Sequence, residues 1–233
     1  LLRSYGKRGT GPISIEDPFL TLHPLRMIKS EAELDLMRTA ADIAAIAHNH
    51  ARKFAKPGIN EYQIAAEIEY IFNKNGAMGV AYPSIVASGA NACILHYIDN
   101  NSVLKDGDLL LIDAGCAVGY YNSDVTRTFP VNGKFTTEQK NIYELVLDAQ
   151  MASIEQVKPG TTWKDFHATS VQIITEGLVN LGLLAGEVST LIEEEKYKNF
   201  YMHGTGHWLG LDVHDAGIYM HGAENWYQFQ PGN

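Results

Sequence analysis

Apolar residues recur at helical spacing in four stretches, and a capping signal precedes each. Ser30 with Glu33 forms a capping box, and the helix it opens carries Leu34, Met37, Ala41 and Ala44 on one face. Asn60 with Gln63 opens a second helix, apolar at Ile64, Ile68, Ile71 and Phe72 and ended by Gly76. Thr136 with Gln139 starts a third, running through Ile142, Leu145 and Ala149, and Thr162 starts a fourth with Phe166, Ile173 and Ile174, stopping near Gly182. Between the second and third the period shortens. Leu109 to Ile112 is an apolar run leading into Asp113, and Tyr121 to Phe129 returns as a second strand, giving a β-hairpin turned at Val118-Gly119. The charge run Glu193 to Lys196 reads as a solvated helix face. Helices alternating with short strands place the chain in a mixed class, α/β in the broad sense (α+β).

The pattern repeats. Lys56-Pro57-Gly58 is echoed by Lys158-Pro159-Gly160, each between two amphipathic helices, and at the same offset Ile64 matches Phe166 and Ile71 matches Ile173. Pro-Gly is common loop punctuation, but the matching context argues for duplication. Two similar halves, with helices outside and strands between, would put a functional site at the seam.

Size and charge narrow the picture. A chain of 233 residues and 25.7 kDa supports one large domain with a substantial core. A formal net charge of −9 with no Lys/Arg cluster argues against nucleic acid as a partner. Cys93 and Cys116 form no C-x-x-C pattern, and both lie in apolar surroundings that fit buried free thiols. No apolar run reaches the roughly 18–20 residues needed to cross a membrane, so none is expected as a partner. Residues 1–28 form a loop-rich lead-in with Gly, Pro and mixed charge, and 29–233 form the main domain.

Candidate chemistry collects in three segments. With the turn at Val118-Gly119, Asp113 and Asp124 stand opposite each other, where paired Cβ atoms are roughly 4.5–5.5 Å apart. Two carboxylates that close repel unless cations lie between them, and such a spacing suits two divalent metals. The alternative is a splayed hairpin, with Asp113 capping a strand end and Asp124 in solvent. Downstream, MHGTGHWLGLDVHD carries His203, His207 and His214; Gly204 and Gly206 argue for looped backbone there, and the helical zinc pattern H-E-x-x-H is absent. Three histidines within twelve residues favour a site over isolated core histidines. PSIVASGANACILHY adds His96 after a Ser-Gly-Ala-Asn turn.

The ordered set SGANACILHY, IDAGC…YYNSDVTRTF and HGTGHWLGLDVHD resembles the pita-bread metallopeptidases, most closely the aminopeptidase P (Xaa-Pro aminopeptidase) family, from about Lys29 to the last residue. The resemblance implies a pita-bread fold of pseudo-twofold halves and a dinuclear site, usually of manganese, with Co²⁺ or Zn²⁺ as other candidates. Carried over by motif, Asp113 binds the second metal, Asp124 bridges both and His207 binds the first. His96, His203 and His214 match active-site histidines outside the metal ligands that help bind substrate and move protons. The substrate implied is a peptide with proline in second position, attacked by a metal-bound hydroxide. In that family two glutamates complete the ligand set beyond the HGTGHW segment; Glu224 does not stand in their motif, and both are expected to be missing. On this reading the chain is a fragment incomplete at both ends, with 1–28 the tail of an amino-terminal domain plus linker, weak metal binding and little turnover. A cytoplasmic location is expected, and homo-oligomer formation stays open.

Two competitors share some of these features. Prolidase resembles the chain in the same motifs but cleaves only dipeptides, and a non-catalytic pita-bread module would bind a protein partner instead. Trp208 reads as core packing, and Trp226 and Tyr227 as a solvent-facing loop.

Overall fold

The computed structural model describes residues 16–222 and 224–233, so the expectation for residues 1–15 lies outside the described residues. The rest of the lead-in departs from a loop: Phe19–Met27 is helix α1, with Pro24 inside it. Burial overrides local propensity here, because Met27 packs into a cluster with Phe166, Trp208, Tyr227 and Phe229.

Helices α2 (Glu31–Phe54), α3 (Glu61–Lys74), α4 (Thr137–Ile154) and α5 (Trp163–Asn180) begin at the four expected caps, each with the reciprocal bonds of a capping box. The buried face of α2 is rotated from the expected one. Ala40, Ile43, Ala44, Ala47 and Ala51 are buried, Ala41 is exposed, and Leu34 and Met37 are half-buried. The alanines form the inward stripe because small side chains let α2 lie close to Ile64, Ile68 and Phe72 of α3. On α4, Ile142 is exposed and Ala149 faces inward. The charge run is solvated, but it is not one helix: α6 (Val188–Glu193) ends there, Glu195 takes a left-handed φ of 54°, and a 3₁₀ turn Lys196–Asn199 follows.

The strands are β1 (Gly79–Val80), β2 (Ile85–Ser88), β3 (Leu109–Asp113), β4 (Cys116–Val118), β5 (Tyr121–Asn122), β6 (Thr126–Pro130), β7 (Met220–His221) and β8 (Asn225–Trp226). They form antiparallel sheets in the orders β1-β4-β5, β2-β3-β6 and β7-β8. The hairpin exists, with a register shifted by two. Asp113 pairs with Thr126 and Ala117 with Asn122, so the turn centres on Gly119-Tyr120. Both turn residues have positive φ, 54° and 70°, as a type I′ turn requires to match the right-handed strand twist. Tyrosine rarely signals such a position.

Asp124 therefore faces Gly115. That glycine is required: a Cβ there would lie 1.8 Å from the Ser123 carbonyl oxygen, and the close approach is where the hairpin passes from one sheet into the other.

The repeat is structural. Gly58 and Gly160 share a φ of 92°. Gly58 N–H donates to Leu104 O (2.9 Å) and Leu104 N–H to Ile59 O (2.8 Å); in the second half Gly160 N–H donates to Phe229 O (3.0 Å) and Phe229 N–H to Thr161 O (2.8 Å). Each KPG turn is clamped the same way to a passing strand-like segment.

Smaller expectations divide. Trp208 is buried as expected, whereas Tyr227 is buried too, inside the aromatic cluster. Cys116 is buried but Cys93 is exposed, because Gly89–Cys93 is a surface 3₁₀ turn.

Candidate metal centre

Asp113 ends β3 and Asp124 lies on the returning segment, two pairs further toward the turn. They are diagonal neighbours on one face, a wider arrangement than direct pairing. The Tyr82 hydroxyl fills the gap, 2.5 Å from Asp113 Oδ1 and 2.8 Å from Asp124 Oδ1. Asp124 Oδ2 faces His207 Nε2 at 3.1 Å. The other ring nitrogen, Nδ1, donates to the Trp208 carbonyl oxygen (2.8 Å), which fixes the ring and turns Nε2 toward the carboxylates. His214 lies against His207 with its ring tilted, centroids 4.2 Å apart.

The electrostatics follow from burial and neighbours. Burial pushes Asp113 up, and the nearby Asp124 charge adds to this. Burial also pushes Asp124 up, but hydrogen bonds from His207 and Tyr82 outweigh it and hold it below the ordinary carboxylate range. His207 is raised by its bond to Asp124 against the effect of desolvation. Burial beside two carboxylates drives the Tyr82 phenol far upward, so it remains a donor. One phenolic proton cannot satisfy two carboxylates fully. Among the described residues His207 is the only ion-pair partner of either aspartate. The local charge is therefore under-compensated, a donor set of hard oxygens plus one oriented imidazole that fits a divalent cation.

The set is also incomplete as it stands. Among the described residues no group of three or more His, Cys, Asp or Glu is gathered closely enough to hold a metal ion. Glu224 sits exposed at the β7-β8 turn and is no part of the site.

The histidines divide. His96 and His214 line a cavity of about 270 Å³ with Tyr82, Asp113, Ile85 and Val213. His203 is exposed and does not line that cavity. The loop reading of residues 203–214 holds, and Asn122 fastens it by donating to Gly210 O (3.1 Å) and Leu211 O (2.9 Å). Tyr82 is the residue that sequence reasoning passed over. It stands just before the Pro83-Ser84 segment that leads to His96, and nothing in its local pattern marks it.

Two half-buried carboxylates and an oriented imidazole, brought together from the two halves of a duplicated fold, make a donor set for a divalent cation. The chain belongs to metallopeptidase family M24, whose model matches residues 35–233. It is 52% identical over 198 residues to the Xaa-Pro aminopeptidase of Haemophilus influenzae, an alignment covering 85% of this chain and 46% of that protein. The fold superposes on aminopeptidase PepP from Pseudomonas aeruginosa with a TM-score of 0.93 at 52% identity, covering 99% of this chain and 52% of that one. Zinc-substituted Escherichia coli aminopeptidase P in complex with product gives 0.93 at 44% identity, covering 99% of this chain and 52% of that one. The chain thus spans about half the length of the relatives it matches. Among the described residues no helix is long and apolar enough to cross a membrane.

Proposed function

We propose that this chain supplies half of the active site of a metal-dependent aminopeptidase that removes the residue preceding a penultimate proline. The observation that carries the reading is the Asp113–Tyr82–Asp124–His207 arrangement, with charge left for cations to neutralise. Asp113, Asp124 and His207 would hold two divalent metals, Mn²⁺ being the best match to oxygen donors and one imidazole. When bound, such ions would lower the pKa of a water and polarise the peptide carbonyl.

The chain's own residues do the rest. His207 is held at Nδ1 by the Trp208 carbonyl oxygen, so Nε2 would bind a metal in place of its hydrogen bond to Asp124, and Tyr82 restrains one oxygen of each carboxylate. His96 and His214 face the same cavity and can donate to the oxygen that gains charge at the attacked carbonyl. His203 would act from the loop edge. A prolyl nitrogen has no N–H, so the site must accept the ring by shape; Ile85 and Val213 offer apolar wall there. The peptide is the only partner proposed, and the location proposed is cytoplasmic.

The test is Mn²⁺-dependent release of the first residue from an Xaa-Pro-Xaa tripeptide and from an Xaa-Pro dipeptide, with the full-length gene product. Tripeptide cleavage that disappears in Asp124→Ala supports the reading. Cleavage of the dipeptide alone would make it a prolidase, and a folded protein that binds no metal and cleaves neither would return the binding-module reading.

A further inference from the structure

Glu61 is the most deeply buried carboxylate among the described residues, with 0% exposure, and no part of the site uses it. It is the first residue of α3, where the helix N-terminus favours negative charge. Its Oε1 accepts from Ser88 N–H (2.7 Å), Ser88 Oγ (2.7 Å) and Asn91 Nδ2 (3.1 Å); its Oε2 accepts from Tyr97 OH (2.9 Å) and Ser102 N–H (2.9 Å). Desolvation pushes this carboxyl up, but the bonds from Ser88, Ser102 and Asn91 together bring it below its ordinary value.

Every donor comes from residues 88–102. That segment carries His96, which holds a left-handed φ of 54°, a costly conformation for a residue other than glycine. Tyr97 next to it is buried with its hydroxyl on Glu61, while His96 is exposed toward the cavity it shares with Asp113. Asn100, also at positive φ, is fixed on the other side: its Oδ1 accepts from Val86 N–H (2.8 Å) and its Nδ2 donates to Ser84 O (2.8 Å). The strained histidine is thus held between two anchored neighbours.

We propose that Glu61 is a positioning residue for the reaction, acting through Tyr97 and Asn91 to hold the 88–102 loop in the form that presents His96 to the substrate cavity. The proposal rests on the reading of His96 as substrate-facing. A carboxylate is needed because every partner donates. Glutamine would turn an NH₂ group against either Ser88 or Ser102 and release the loop.

The experiment is a double-mutant cycle of Glu61→Gln and His96→Ala in the full-length gene product, with Mn²⁺ content and kcat/KM on an Xaa-Pro-Xaa peptide as readouts. Glu61→Gln should lower kcat/KM roughly ten- to hundredfold, the scale of a small misplacement of a substrate-binding group, with metal content unchanged. On the His96→Ala background it should lower kcat/KM no further. Hydrogen exchange should quicken at residues 94–102 and stay unchanged in β3 and α2.

Losses that multiply, or full activity in Glu61→Gln, overturn the proposal. If Glu61→Gln fails to fold, Tyr97→Phe takes its place in the cycle, with a smaller loss expected and the same non-additivity. If His96→Ala alone costs nothing, the reading of His96 falls and the proposal with it. If the wild-type protein cleaves no peptide, the functional reading fails by itself, and the exchange measurement still decides whether Glu61 orders the loop.

Discussion

Tyr82 gives one proton to two carboxylates, so its removal should be felt by any cation they hold. Tyr82→Phe is expected to weaken Mn²⁺ binding about tenfold, the lower end for an outer-sphere hydrogen bond at a metal ligand, measured by calorimetric titration. A second residue sets an acid limit on stability. Glu33 accepts from the Tyr121 hydroxyl first of all, then from Ser30, and is held at about 2. Because the folded value is depressed, the stabilisation is present above the unfolded value near 4.5 and is lost as pH falls toward 2. Glu33→Gln should flatten the pH dependence of the melting temperature in that window. The residues legible in sequence were those with distinctive chemistry in clusters: Asp113, Asp124, His207 and His214. Tyr82 was not, because a tyrosine becomes part of such a site only when a distant backbone brings carboxylates to it.

Helix starts were the most legible elements, since a cap is a local pattern whose bonds close within four residues. The hairpin register was not. It depended on whether the turn centred on Val118-Gly119 or Gly119-Tyr120, and a one-residue difference there displaced Asp124 from Asp113 to Gly115. Gly115→Ala should cost about 3 kcal/mol or more, the upper end for overpacking, because the added carbon meets backbone; thermal unfolding would show it. Gly58→Ala and Gly160→Ala form a contrast. Neither Cβ would touch a neighbour, so only the positive φ is penalised, and each should cost about 1–2 kcal/mol, nearly the same in the two halves. Unequal losses would show that the two KPG turns are not equivalent in energy. The inward stripe of α2 is hard to see in the sequence for a related reason, since alanines carry little hydrophobic signal yet set how closely two helices approach.

Across the whole molecule, an ion cluster centred on the buried Asp215 joins the lead-in helix to the histidine loop. Asp215, its side chain 1% exposed, accepts from Arg26 and lies 3.5 Å from Lys29 Nζ. Arg26 also reaches Asp212 at 2.9 Å. Removing the shared anion leaves Lys29 unpaired in a poorly solvated place and Arg26 with Asp212 alone, so Asp215→Ala should cost about 3 kcal/mol in a denaturant titration. None of these links was legible in sequence, since the partners lie 186 and 189 residues apart and charges alone do not announce their mates. The duplicated clamp was legible, as a repeated tripeptide, and it has a further consequence. At the position after each cap the first half has Glu61 and the second has Trp163, so one copy closes on a polar knot and the other on an aromatic cluster with Trp208 and Phe229. Each half therefore has its own means of cohesion, the first a set of buried hydrogen bonds and the second a set of ring contacts. The two aspartates stand with the hydrogen-bonded half and His207 stands beside Trp208 of the aromatic half, so the donor set joins two kinds of packing at one point.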